Sequence, residues 1–161
     1  MIGGDLTPVR FVLLSLVVLG AGGCAKRGVD AVKEMRARAC AGDAAGFFNH
    51  VDRQEIIRTA IAEATRKAEL SIAKLDPVAQ AAARESFHKR VEPTIPTVFN
   101  DAFTEWEYDI KRGTASDLCR LSITESSEVD DMADVHVRTP AERRWTMARH
   151  GDRWSLVRIG D

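Results

Sequence analysis

Two hydrophobic periods divide the chain. Up to Lys111 apolar residues recur three and four apart, the spacing of one face of a helix; beyond Ser116 they alternate with polar residues, the spacing of a half-buried strand. Residues 29–41 place Val29, Val32, Met35, Ala39 and Cys40 near one helical face. Gly42 is a natural stop, because glycine enters the left-handed region without a Cβ clash. Asp43 is set to cap a short segment carrying Phe47, Phe48 and Val51. Asp52 with Glu55 three residues on has capping-box spacing, and predicts a helix striped by Ile57, Ile61, Ala64, Ala68 and Ile72. Glu63 and Lys67 form an i,i+4 surface pair on it. Asp76 and Pro77 start another helix, which runs to about Val91. Pro93 and Pro96 break the pattern, so the last helix is expected from Thr97 to Lys111. Val98, Ala102, Phe103, Trp106 and Ile110 would face inward, and Gly113 would end it.

Four short strands follow. Cys119, Leu121 and Ile123 alternate with Arg120, Ser122 and Thr124. Ala133, Val135 and Val137 alternate with Asp134, His136 and Arg138, and Trp145 and Met147 with Arg144 and Thr146. In the last run Trp154 and Leu156 take one face, Val157 and Ile159 the other. Turn-rich pieces at Ser126 to Asp131, Thr139–Pro140 and His150 to Asp152 separate the runs, which read as an antiparallel meander. One face of such a sheet is buried and one wet. The helices must cover the buried face, which makes the fold class α+β: N-terminal helices on a C-terminal, curved antiparallel sheet of about four strands. A single domain over 29–161 is expected, with a helical half at 29–113 and a strand half at 117–160.

Composition narrows the function classes. A chain of 161 residues suits one domain, and 45% apolar residues exclude a disordered chain. Lys and Arg total 23 against 24 for Asp and Glu, so no bulk positive field exists and no nucleic-acid partner is expected.

Residues 1–23 read as a signal peptide. Phe11 to Leu19 is uncharged and apolar, Arg10 precedes it, and the run is shorter than the roughly 20 residues a membrane-spanning helix needs. The stretch Leu19-Gly20-Ala21-Gly22-Gly23-Cys24 resembles a bacterial lipobox, with Ala21 where the pattern usually has Leu. That resemblance implies a diacylglycerol (palmitate-type chains) on the Cys24 thiol, cleavage before Cys24, and acylation of its new amine. Several acyl chains at ~0.8 kcal/mol per buried methylene would hold the protein to a membrane where one chain would not. The absence of Asp at Ala25 implies the outer membrane, facing the periplasm. Residues 24–28 would be the lipidated linker. Ala21 and Gly23 also satisfy the rule for ordinary signal cleavage, which would give a plain secreted protein, and an uncleaved anchor is the third reading.

With Cys24 assigned to lipid, Cys40 and Cys119 remain. Outside the cytoplasm they can form a disulfide, worth ~4 kcal/mol for so long a loop; the other reading is two buried free thiols. No C-x-x-C spacing points to redox or zinc chemistry.

Further features coincide. The first helix ends in Ala41-Gly42-Asp43-Ala44-Ala45, followed by Phe47-Phe48, and the chain closes on Gly151-Asp152-Arg153-Trp154-Ser155-Leu156. This order resembles the cystatin-like cone, or nuclear-transport-factor-two-like, superfamily, many of whose bacterial envelope members are small lipoproteins. The resemblance implies a curved sheet wrapped around helix 29–41, with a mouth. It covers about a fifth of the chain, and residues 53 to 112 hold more helix than such domains usually have. Its members include isomerases, dehydratases and non-catalytic binding or dimerisation modules, so fold alone does not decide function.

Candidate chemistry is sparse. His50, His88, His136 and His150 share no metal-ligand spacing. His50 follows the Phe47–Phe48 pair, Asp134 and His136 share a strand face with Arg138, and Asp109 adjoins Tyr108; each suits a structural or wet-face position better than a catalytic one. Trp106, Trp145 and Trp154 are candidates to line a pocket, or simply core. Arg138, Arg144 and Arg158 are candidates for a surface that meets an anionic partner. The reading from sequence is therefore a lipid-anchored envelope protein that binds an envelope protein or a small apolar ligand. No catalytic residue, metal or cofactor is expected. The alternatives are an isomerase- or dehydratase-like enzyme on a cone fold and a structural dimerisation helper.

Overall fold

A computed structural model of the chain describes residues 27–139 and 141–160, so Cys24 and the signal segment lie outside the described residues. Helix α1 (Gly28–Cys40) buries Gly28, Ala31, Val32, Met35 and Ala39, one face at helical spacing. It packs against strands β2 (Met132–Thr139), β3 (Ala141–His150) and β4 (Arg153–Gly160). The sheet is completed by β1 (Ser122–Val129), and its order is β1-β2-β3-β4, antiparallel throughout. The fold is α+β, with the helices N-terminal. The core joins the α1 face to Ala133, Val135 and Val137 of β2, Trp145 and Met147 of β3, and Trp154 and Leu156 of β4. The approach is closest at Gly28, where a Cβ would collide with that of Ala133 and meet Trp154 at 3.4 Å.

Caps and stops fall where local chemistry puts them. Gly42 takes φ 74° after α1, and the Asp43 carboxylate accepts the Gly46 N–H at 2.8 Å at the start of α2 (Ala44–Phe48). Asp52 accepts the Glu55 N–H at 3.0 Å and opens α3 (Arg53–Ile72). Asp76 accepts from Val78 and Ala79 at the start of α4 (Pro77–Ser86), whose last turn widens to a π pattern over Phe87–Val91. Helix α5 (Thr94–Arg112) ends at Gly113, which has φ 70°. A short α6 (Ser116–Cys119) then leads into β1.

Several sequence expectations need correction. Helix α5 begins at Thr94, with Pro96 inside its first turn. The first four amides of a helix have no intrahelical acceptor, so proline there removes nothing. Val98 is 63% exposed rather than inward; at this level of α5 the inner face is taken by Phe99, which packs on the core. Cys119 is helical rather than extended, and β1 runs through the expected turn to Val129, leaving only Asp130 and Asp131 to turn the chain. Cys40 is exposed rather than part of the buried face of α1. Ile159 does not face away from Leu156. A bulge at Val157 sets Ile159 opposite Trp145 and Leu156 opposite Met147, so both lie on the inner face. An inserted residue in one strand shifts the alternation by one, which period counting cannot foresee.

The two sheet edges differ. On β4, Leu156 exchanges hydrogen bonds with His50 and Asp52, a parallel bridge through Val51. Helix α3 continues this cover: the Thr59 hydroxyl donates to the Val157 carbonyl at 3.1 Å, and Arg158 pairs with Glu63 at 3.2 Å. The β1 edge is solvent-facing, with all but Ile123 exposed along its length. Beyond the sheet, α4 and the π segment Phe87–Val91 form an arm, α4 packing on α3 and the π segment meeting α5, and α4 buries no residue. No described helix is long and apolar enough to cross a membrane.

Candidate functional site

At one end of the core α5, α6 and the sheet enclose a cleft of about 450 Å³. Its floor is apolar. Trp106 from α5 and Trp145 from β3 meet with ring centroids 6.4 Å apart and planes tilted by 36°, beside Ile159 of β4 and the buried Ala115 and Leu118. Trp145 is held by the core and Trp106 by its neighbours, lying edge-on to Phe47 at 6.0 Å and to Phe103 at 6.2 Å. Its rim is charged. Glu105 and Asp109 sit one turn apart on α5, Asp117 lies in the first turn of α6, and Arg143 stands near the start of β3. Thr114, Ser116 and Thr139 add hydroxyls.

The wall made by α6 is fixed by covalent and polar links. Cys119 at the end of α6 is bonded to Cys40 at the end of α1, with Cα atoms 5.1 Å apart, inside the range a disulfide spans. Arg36 of α1 donates to the Leu121 carbonyl at 3.1 Å just beyond it. On the other side of the mouth the Thr114 hydroxyl donates to the Asp109 carboxylate at 2.9 Å, and the Thr114 N–H to the Asp109 carbonyl at 2.9 Å. These bonds orient Asp109 and close the end of α5.

The tryptophans named from sequence divide. Trp106 and Trp145 line the cleft, while Trp154 does not; it is 1% exposed, buried under α1, with Arg149 over its ring at 5.7 Å. The three arginines lie on the other side of the sheet, on the face bearing Asp134 and Thr146. Arg138 is 3.9 Å from Glu142, Arg158 is bonded to Glu63, and Arg144 is opposite His136. Two of the three guanidiniums thus already face carboxylates, and they form no cleft together.

The remaining candidates have structural surroundings. His50 is buried, its Nδ1 3.1 Å from the Trp154 carbonyl and its Nε2 3.6 Å from Glu34, where it links α1 to β4. Asp134 accepts the Thr146 hydroxyl at 2.6 Å. His88 bonds Glu92 at 2.6 Å on the arm. Tyr108 points to solvent beside Arg112, away from the cleft that its neighbour Asp109 lines. Among the described residues no three His, Cys, Asp or Glu side chains are grouped to hold a metal ion.

Sequence reasoning did not name Glu105, Asp117 and Arg143 for this site. Glu105, Trp106 and Asp109 share helical spacing, a signal that was available. Asp117 and Arg143 join them only because α6 is helical and β3 begins beside it. No family model, curated protein or solved structure matches the chain.

Proposed function

We propose that this chain is a lipid-anchored protein of the cell envelope, held by acyl chains on Cys24 at the periplasmic face of the outer membrane, whose domain binds a ligand in the cleft rather than catalysing a reaction. The observation that carries the reading is the Cys40–Cys119 disulfide. Disulfides persist in oxidising compartments, which agrees with the signal peptide and lipobox-like segment read at the N-terminus. The same bond braces the wall that α6 contributes to the cleft, so it is placed to stabilise a binding surface. An apolar floor under a few convergent polar groups is the usual chemistry of a small-molecule site.

Metabolic labelling with an alkyne analogue of palmitate, followed by membrane fractionation, tests the anchor. The wild-type chain is expected to carry label and to sediment with membranes, and Cys24→Ser to lose the label and remain unprocessed. A wild-type chain without label in the soluble fraction, or label unaffected by the substitution, overturns the placement.

A further inference from the structure

We infer that the cleft selects organic cations, of the quaternary or protonated ammonium class, over neutral and anionic molecules of the same size. This rests on the reading of the cleft as a ligand site and names the chemistry that site would take. Two features of different origin converge on it. The floor is built on two indoles, the half-buried Trp106 and the buried Trp145 behind it, inclined at 36° with centroids 6.4 Å apart. The face of an indole is the most favourable aromatic surface for a cation, through its negative quadrupole. The rim presents three carboxylates, Glu105, Asp109 and Asp117, against one guanidinium, Arg143, among the described lining residues. The Asp109 carboxylate accepts the Thr114 hydroxyl. Glu105 and Asp117 pair with no cation among the described residues.

The arrangement favours one class by exclusion as well as by attraction. An anion entering would meet three carboxylates against the one guanidinium of Arg143, so the rim as a whole opposes it. A neutral apolar molecule would gain the indole floor and nothing from the acids. A cation with a compact apolar body gains both, since its alkyl or aryl groups cover Trp106 and Ile159 while its charge lies between that indole and the rim. About 450 Å³ accommodates a group such as a trimethylammonium with an attached ring.

The test uses the full chain in a nonionic detergent and follows the three indole N–H resonances by NMR during titration. Benzyltrimethylammonium is the cation, benzyl alcohol the neutral comparison and benzenesulfonate the anion. The expected result is that benzyltrimethylammonium moves the Trp106 and Trp145 signals and leaves that of Trp154, which lies in the core, in place. The double substitution Glu105→Gln, Asp117→Asn should weaken that binding by about five-fold or more while the spectrum stays folded, and added salt should weaken it in the wild type. Equal binding of benzyl alcohol, tighter binding of benzenesulfonate, or indifference to the double substitution overturns the cation assignment and leaves a ligand cleft of another preference. If none of the three compounds moves the cleft tryptophans, the cation assignment and the ligand-site reading fail together.

Discussion

Breaking the Cys40–Cys119 bond is expected to remove a large share of the domain's stability. The two cysteines are 79 residues apart, so the closed loop takes in α2, α3, α4, α5 and α6. On the chain-entropy account a loop of that length is worth about 4.5 kcal/mol at 25 °C, against a typical net stability of roughly 5–15 kcal/mol for a folded domain. The native state should keep its fold on reduction, with α6 less tightly braced, because Leu118, Leu121 and the Arg36–Leu121 bond still seat it. The loss therefore comes from the freed denatured chain. Urea unfolding with and without a reductant, and of the Cys40→Ala, Cys119→Ala chain without it, measures this. With a slope of about 1–3 kcal/mol per molar, the midpoint should fall by roughly 1.5–4.5 M in both cases, with a somewhat steeper slope as the freed denatured chain expands. A midpoint that moves by less than about 0.3 M would refute the reasoning. So would free thiols at Cys40 and Cys119 in protein from its native host, alkylated before reduction.

Four further outcomes follow from named contacts. Gly28→Ala places a methyl against Ala133 and Trp154 and should destabilise by about 1–3 kcal/mol, read as a lower thermal midpoint; an unchanged midpoint would mean α1 does not approach β2 so closely. Asp52→Ala removes the cap on α3 and should cost about 1 kcal/mol, whereas Asp52→Asn, which keeps the acceptor, should cost much less. Trp145→Ala, which empties a buried floor position, should cost about 3–5 kcal/mol by urea unfolding, and a loss below 1 kcal/mol would place that ring outside the core. The Asp43 carboxyl is held below its ordinary value of 3.8 by the Gly46 N–H and by Arg38, so its contribution is present above that value and lost as pH falls through the lower folded value. The drop in stability from pH 5 to pH 2 should accordingly be smaller in Asp43→Asn than in the wild type; an identical drop would remove Asp43 from the acid response.

What the sequence made legible follows from which interactions are local. A helix cap needs an acceptor and an amide two or three residues on, so Asp43, Asp52 and Asp76 declare themselves, as do the stops at Gly42 and Gly113. Alternation in β2 is unbroken, and Val135 and Val137 were found as core. The misreadings sit where tertiary contacts decide. The bulge at Val157 exists because β4 must serve β3 on one side and Val51 with α3 on the other. The helical turn at Ser116–Cys119 interrupts residues that alternate well enough to be strand, and the bond to Cys40 together with burial of Leu118 holds it. The cleft was half legible for the same reason: its indoles are conspicuous as residue types, but its acids become a rim only once α6 and the start of β3 are in place.

The floor and the rim of that cleft are built from different kinds of interaction, and this separates folding from selectivity. The floor continues the core. Phe47, Phe48, Phe103 and Trp106 touch in sequence, Arg53 lies over the Phe48 ring at 4.0 Å, and Trp106 then meets Trp145 on the sheet. Any change there is felt as lost packing through the whole aromatic chain. The acids at Glu105 and Asp117 are exposed at a helix surface and a helix start, where a charge can be removed with little effect on burial. The domain can therefore keep its fold while the sign and number of rim charges vary. Neutralising the rim should leave a stable protein whose ligand preference, on the reading proposed above, is altered, whereas truncating the floor should remove stability and cleft at once.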